Sequence, residues 1–132
     1  MSMAFPCILV TPEKQLLDDS IAQAVVPAHD GLLGILPHRA PLLVLLGTGP
    51  LRIDLPDASR RHFFIDGGIA QMRHGRLTIL TTEAICAEEI DAEAARAQYA
   101  HAAAMKIADE RTFQQRQHLL ERARALQSLV RA

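Results

Sequence analysis

Between Val26 and Leu46 the chain reads VPAHDGLLGILPHRAPLLVLL, an almost wholly apolar run interrupted by glycine and proline. Gly31 and Gly34 admit backbone angles that a Cβ forbids, while Pro27, Pro37 and Pro41 fix φ and remove amide donors. Neither one long helix nor one long strand survives that punctuation, so the run must bend into short strands and tight corners.

The same rhythm holds up to Cys86, where apolar residues come in runs of about four to seven between turn signals, the pattern of an antiparallel all-β domain. Strands are expected at Phe5 to Val10, Gln15 to Asp18, Ile21 to Pro27, Gly31 to Ile35, Leu42 to Leu46, Leu51 to Leu55, His62 to Asp66, Ile69 to Arg73 and Arg76 to Thr81. About nine or ten short strands of this kind make two packed sheets. Arg73-His74-Gly75-Arg76 reads as a tight hairpin, with His74 and Gly75 at the left-handed positions, so His74 is a turn residue rather than a ligand.

From Glu88 onward there is no proline or glycine, and alanine, glutamine, arginine and leucine dominate. One helix is expected over Glu88 to Ala108 and another over Thr112 to Val130, with Thr112 and Gln115 at capping-box spacing. The fold class is therefore α+β, mainly β: an antiparallel β-sandwich over residues 1–87 and an antiparallel helical hairpin over 88–132. The first helix offers Ile90, Ala94, Ala97, Ala104 and Met105 to the seam; the second offers Phe113, Leu119, Leu120, Ala123, Leu126 and Val130. A methyl contributes about 0.8 kcal/mol on burial against about 1.5 to 3 for leucine or phenylalanine, so an alanine seam closes weakly. Such a hairpin either exchanges its packing surface for another protein or stays docked; composition alone leaves both open.

With 132 residues, 49% of them hydrophobic, the chain supports one ordinary core and no second large domain. A net charge of −1, no tryptophan and a single tyrosine argue against a basic nucleic-acid groove with stacking platforms. Cys7 and Cys86, far apart and without an export signal in MSMAFPCILV, read as reduced, buried thiols. No apolar run reaches the roughly 18 to 20 residues of a membrane span.

Reactive groups do not converge. Cys7, His29, His38 and His62 fit no nucleophile signature, so no catalytic residue is assigned. His29, Asp30 and His38 match no metal-ligand spacing, so no metal site is assigned. Asp66-Gly67-Gly68 precedes a strand rather than a helix, which makes it a corner and not a phosphate loop.

Together, ILVTPEKQLLD, the Val26 to Leu46 run and FFIDGGIAQMRHGRLTILTTEA closely resemble the epsilon subunit of F-type ATP synthases, the small rotor protein at the foot of the central stalk. Members of that family carry a loop of the form GELGILPGHAPLL, and Gly31, Gly34, Ile35, Leu36, Pro37, Ala40, Pro41, Leu42 and Leu43 occupy the matching places. FFIDGG matches the family's FxVxGG element, which is structural there.

The resemblance implies a noncatalytic rotor subunit that couples the gamma subunit to the membrane rotor ring. It implies a peripheral position at the cytoplasmic face of the cell membrane, attached only through other subunits, with no nucleic acid as partner. Gly31, Leu32, His38 and Arg39 become the interface candidates. Leu32 replaces an acid usual in the family and His38-Arg39 replaces Gly-His, changing the charge asked of the partners or pointing to a variant branch of rotary ATPase; drift in a solvent-facing loop is the alternative.

No cofactor is implied. The family's regulatory ATP site, IDxxRA with arginines on the second helix, survives as Ile90, Asp91, Arg122 and Arg124, but Ala94 stands where the first arginine belongs, so ATP binding is expected to be weak or absent. Arg111, Arg116, Arg122, Arg124 and Arg131 against the lone acid Glu121 make the second helix basic. In the family such a helix can reach the catalytic alpha/beta head and brake hydrolysis; solvated surface charge is the plain alternative. Outside any ATPase, the same sandwich reads as a free-standing adaptor or ligand-binding module.

Overall fold

The computed structural model describes residues 3–130. Strands β1 (Phe5–Val10), β2 (Gln15–Ile21), β3 (Gln23–Ala28), β4 (Gly31–Ile35), β5 (Leu42–Asp54), β6 (Arg60–Arg73), β7 (Arg76–Leu80) and β8 (Ala84–Cys86) come first. A single 3₁₀ turn (Ala87–Glu89) leads into helices α1 (Ala92–Ala104) and α2 (Glu110–Val130).

Three strands run longer than the sequence pattern predicts: β2 continues past Asp18 to take in Ile21, expected at the start of β3, and β5 and β6 each span two expected strands. Leu42 to Leu46 and Leu51 to Leu55 fuse into β5, and His62 to Asp66 and Ile69 to Arg73 fuse into β6. Their ladder runs without a slip from Leu42 opposite Met72 to Asp54 opposite Arg60. One half of β6 pairs with β7, which continues to β1 and β2; the other half pairs with β8. The far half of β5 pairs with β3, which continues to β4. Both long strands thus belong to both layers of the sandwich, and the described residues hold eight strands rather than nine or ten.

The apolar alternation breaks where the strands pass between layers, which is why each reads as two. In β6 the inward residues change from Phe63 and Ile65 to Ala70 and Met72; in β5, from Leu46 to Leu51 and Ile53. All of these enter one core with Leu9, Ile21, Val26, Ile35, Leu77 and Ile79. The change of phase in β6 occurs at Gly67 and Gly68, with φ of +77° and +117°. At Gly68 an added Cβ would lie 2.0 Å from the Leu80 carbonyl oxygen, so only glycine lets β6 pass that close. β8 escapes the pattern because its three residues are too few to show a period.

His74 and Gly75 do adopt left-handed angles, φ +52° and +73°, between the paired Arg73 and Arg76. Cys7 is buried in β1, where burial, with a contribution from Asp18, pushes its thiol up to about 12. Cys86 is only half-buried, with the Arg61 guanidinium 3.5 Å from its sulfur, and neither cysteine is in a disulfide.

The helices depart from expectation at their ends. Asp91 caps α1 by accepting from the amides of Glu93 (3.0 Å) and Ala94 (3.4 Å), so the helix begins after it rather than at Glu88. The second cap is Asp109, not Thr112. The Asp109 carboxylate accepts from the Thr112 amide at 2.9 Å, and the Thr112 hydroxyl accepts from the Asp109 amide at 3.0 Å, a reciprocal box shifted three residues toward the N-terminus. That same hydroxyl accepts from the Ala108 amide, which draws the linker out and ends α1 at Ala104.

The seam is also rotated. Ala95 and Ala102, not Ala94, Ala97 and Ala104, are the buried residues of α1; Leu120, Ala123, Leu126 and Leu129 are those of α2, while Phe113 is 42% exposed. An alanine-rich helix carries almost no apolar moment, so its buried face is chosen by its neighbours. No helix among the described residues is long and apolar enough to cross a membrane.

Gly68→Ala is expected to lose at least about 3 kcal/mol of stability in urea unfolding, from a left-handed penalty plus a backbone clash. Gly67→Ala, which meets nothing within 4 Å, should lose only the left-handed penalty of about 1 to 2 kcal/mol.

Candidate functional site: the seam between sandwich and hairpin

Phe63, Phe64 and Ile65 are consecutive and all fully buried, although a strand turns successive side chains to opposite faces. Phe63 and Ile65 enter the sandwich core. Phe64 points outward into a second cluster with Ala95 of α1 and Leu126 and Leu129 of α2, flanked by Ile85, Ala87 and Ile90. The hairpin is therefore docked on the outer face of the sheet, and Phe64 is the side chain that it covers.

A polar network fastens the edge of this contact. The Arg122 guanidinium lies 5.0 Å from the Phe64 ring centroid and donates to both oxygens of Glu83, with Nη2 to Oε2 at 3.1 Å, and to Asp66 Oδ2 at 3.3 Å. Asp66 Oδ1 accepts from the Thr48 hydroxyl at 2.6 Å and faces His118 Nε2 at 3.0 Å. The backbone carbonyl of Asp66 accepts from the Thr82 hydroxyl at 2.7 Å. One residue thus joins β5, β6, the loop before β8 and α2.

Charge on Asp66 is favoured on balance. Burial opposes it, but the hydrogen bonds from Thr48 and His118 and the charges of His118 and Arg122 prevail and hold the carboxyl below its usual range. Arg122 feels burial too, yet Glu83 and Asp66 outweigh it and raise its affinity for the proton. The arrangement has no nucleophile with a base; what it does is clamp a helix to a sheet. Arg122 and Asp66 are mostly covered, with side-chain exposures of 18% and 17%, whereas Glu83 is 41% exposed. Partial cover shields the clamp from some of the screening that weakens surface ion pairs, and partial exposure spares it some of the desolvation that a buried pair suffers.

The other candidates from the sequence fall elsewhere. Gly31 (φ +136°), Leu32, His38 (φ +63°) and Arg39 are all exposed, on β4 and the loop after it. Gly31 and Leu32 line an open groove of about 670 Å³ that runs between them and Leu43 to Leu45, whereas His38 and Arg39 are not among its lining residues. On α2 the basic residues divide by role: Arg122 faces the sandwich, Arg116 donates to the Ala103 carbonyl at 3.2 Å, and Arg124 lies 5.9 Å from the Tyr99 ring centroid. Arg131 lies outside the described residues. Of the residues suggestive of an ATP site, Asp91 is the cap of α1, Ile90 packs in the Phe64 cluster and Arg122 is held by carboxylates.

Sequence reasoning missed Asp66, Glu83, His118 and Thr48 as a group, because they come from four separate elements. One signal was present: three consecutive large apolar residues, Phe63-Phe64-Ile65, in a strand demand cover on both faces.

A sequence profile described as "ATP synthase, Delta/Epsilon chain, beta-sandwich domain" matches residues 4–87. The chain belongs to this delta/epsilon family. An ATP synthase epsilon chain of Solibacter usitatus is 38% identical over 89 residues, an alignment that spans 67% of this chain and 66% of that relative. One from Granulibacter bethesdensis is 34% identical over 125 residues, 94% of this chain and 93% of the relative, so the delta/epsilon likeness extends through the helices. A chain of the Euglena gracilis mitochondrial ATP synthase, solved by cryo-EM, shares the fold with a TM-score of 0.86 at 24% identity, over 95% of this chain and 80% of that one.

Arg122→Met should leave Asp66 and Glu83 without their cation and weaken docking of the delta/epsilon hairpin by about 1 to 3 kcal/mol. The readout is faster amide hydrogen exchange in α2 with β1 to β7 unchanged. Because the Asp66 carboxyl is held below its ordinary value, its contribution is complete above about pH 4 and is lost as pH falls through the lowered value. Asp66→Asn should therefore flatten the acid limb of hairpin docking, measured by the same exchange between neutral and acid pH.

Proposed function

We propose that this chain is the noncatalytic rotor subunit of an F-type ATP synthase that couples the gamma subunit to the membrane rotor ring. The observation that carries the reading is the match of residues 4–87 to the family's sandwich, together with an apolar face that a lone small protein does not ordinarily expose. Leu32, Leu43 and Leu45 are 67%, 64% and 68% exposed around the groove, and Leu36 follows on the adjoining loop. Gly31 and Leu32 line that face, and with His38 and Arg39 on the loop after β4 they form the proposed interface with gamma and the ring.

The chain works as two units, residues 1–87 for coupling and 88–132 for regulation. The hairpin rests on the sandwich through Phe64 and the Arg122 clamp, and on release α2 turns Arg122, with Arg116 and Arg124, toward the catalytic alpha/beta head to restrain hydrolysis. The exposed sides of α2 and the partial exposure of the clamp support this. Regulatory ATP binding is weak or absent, since Asp91 and Arg122 have intramolecular partners and Ala94 replaces the family's arginine. The subunit sits peripherally at the cytoplasmic face of the cell membrane, held by other subunits.

Reconstitution with the cognate catalytic head, comparing the intact chain with one ending at Glu89, tests the reading. Both are expected to bind gamma, and only the intact chain to slow ATP hydrolysis; Arg122→Met, with its hairpin loosened but its helix charge reduced, separates release from contact. Binding without slowing by either form would leave coupling and remove the brake. Failure of both to bind would return the chain to the free-standing adaptor class.

A further inference from the structure

The tip of the β6–β7 hairpin carries a charge arrangement that its own fold does not explain. Register places Arg73 directly opposite Arg76, and like charges opposed across a strand pair destabilise it. Neither forms an ion pair among the described residues, whereas Arg52, Arg60, Arg96 and Arg122 each do. Behind them on the same face Gln71 stands opposite Thr78. With His74 at the turn, these side chains line an open recess of about 430 Å³.

Every lining group is a hydrogen-bond donor or carries one. Two guanidiniums supply planar forks suited to an oxyanion, the Gln71 amide and the Thr78 hydroxyl add neutral donors, and the His74 ring completes the rim. The strands on either side contribute no competing carboxylate next to the recess: Leu43 of β5 pairs with Gln71, and Ile8 of β1 pairs with Thr78. Asp18 lies one strand further out, opposite Ile8.

We propose that Arg73 and Arg76, with Gln71 and Thr78 behind them, form a binding site for a phosphate-class oxyanion, either a free phosphate or the headgroup of an anionic lipid. Bound anion removes the repulsion between the two arginines, so the site costs the free protein some stability and regains it on binding. The site is separate from the Arg122 clamp and adjoins the apolar groove, whose Leu43 is paired with Gln71, and it stands whether or not the rotor reading does.

The test uses the intact chain, inorganic phosphate by titration calorimetry, and sedimentation with vesicles of phosphatidylcholine alone or mixed equally with phosphatidylglycerol. Wild type is expected to bind at least one probe, and Arg73→Gln with Arg76→Gln to weaken that binding at least tenfold. The doubly substituted chain should unfold in urea at the same midpoint or a higher one. A charge-matched control, Lys14→Gln with Lys106→Gln, should keep binding within twofold. Saturable phosphate binding without vesicle adhesion assigns the free anion; adhesion only to the phosphatidylglycerol vesicles assigns the headgroup. Binding of neither probe, or an equal loss in the lysine control, would overturn the proposal.

Discussion

The single register of the ladder between β5 and β6 is the constraint on which the rest of the structure depends. Because its register holds from Leu42 opposite Met72 to Asp54 opposite Arg60, both layers of the sandwich share one pair of strands and one core. That continuity requires the backbone to change its inward face without shifting register, and Gly67, which drops out of the pairing, and Gly68 supply the left-handed angles that do it. Asp66, immediately before them, is thereby held at the outer edge of the sheet, where its carboxylate meets Thr48, His118 and Arg122. The corner that closes the sandwich and the clamp that docks the hairpin are adjacent residues.

The docked hairpin is held by two interactions of different character. Phe64 with Ala95, Leu126 and Leu129 gives area-dependent, undirected cohesion, limited because α1 presents only small side chains. The Arg122 network adds direction: it fixes which face of α2 meets the sheet and at which height. A contact made this way can be exchanged only for a partner that offers comparable burial and an acidic surface. The proposed brake on hydrolysis requires such an exchange.

Much of the fold was legible before any coordinates. Turn residues and short apolar runs identified β1, β3, β4 and β7, because local backbone chemistry decides where such strands stop. The helical half was legible from the absence of proline and glycine after Glu88, and the left-handed turn at His74-Gly75 from residue type alone. The loop candidates Gly31, Leu32, His38 and Arg39 came from motif matching, and all four lie exposed on β4 and the loop after it. The clamp was not visible, since Asp66, Glu83, His118 and Arg122 are dispersed along the chain and each, read singly, is an ordinary surface charge.

The amino-acid sequence by itself determined the class of the protein, the positions of most breaks and the family to which it belongs, because these depend on local sterics and on side-chain order. Tertiary structure decided the fusion of four expected strands into β5 and β6, the addition of β8 and the rotation of the alanine seam. Local preferences were nearly balanced there: an alanine helix has no favoured face, and a three-residue strand shows no period. Long-range contacts, with Phe64 beneath the hairpin and Asp66 beside it, broke those ties because only they distinguish alternatives that local energies leave equal.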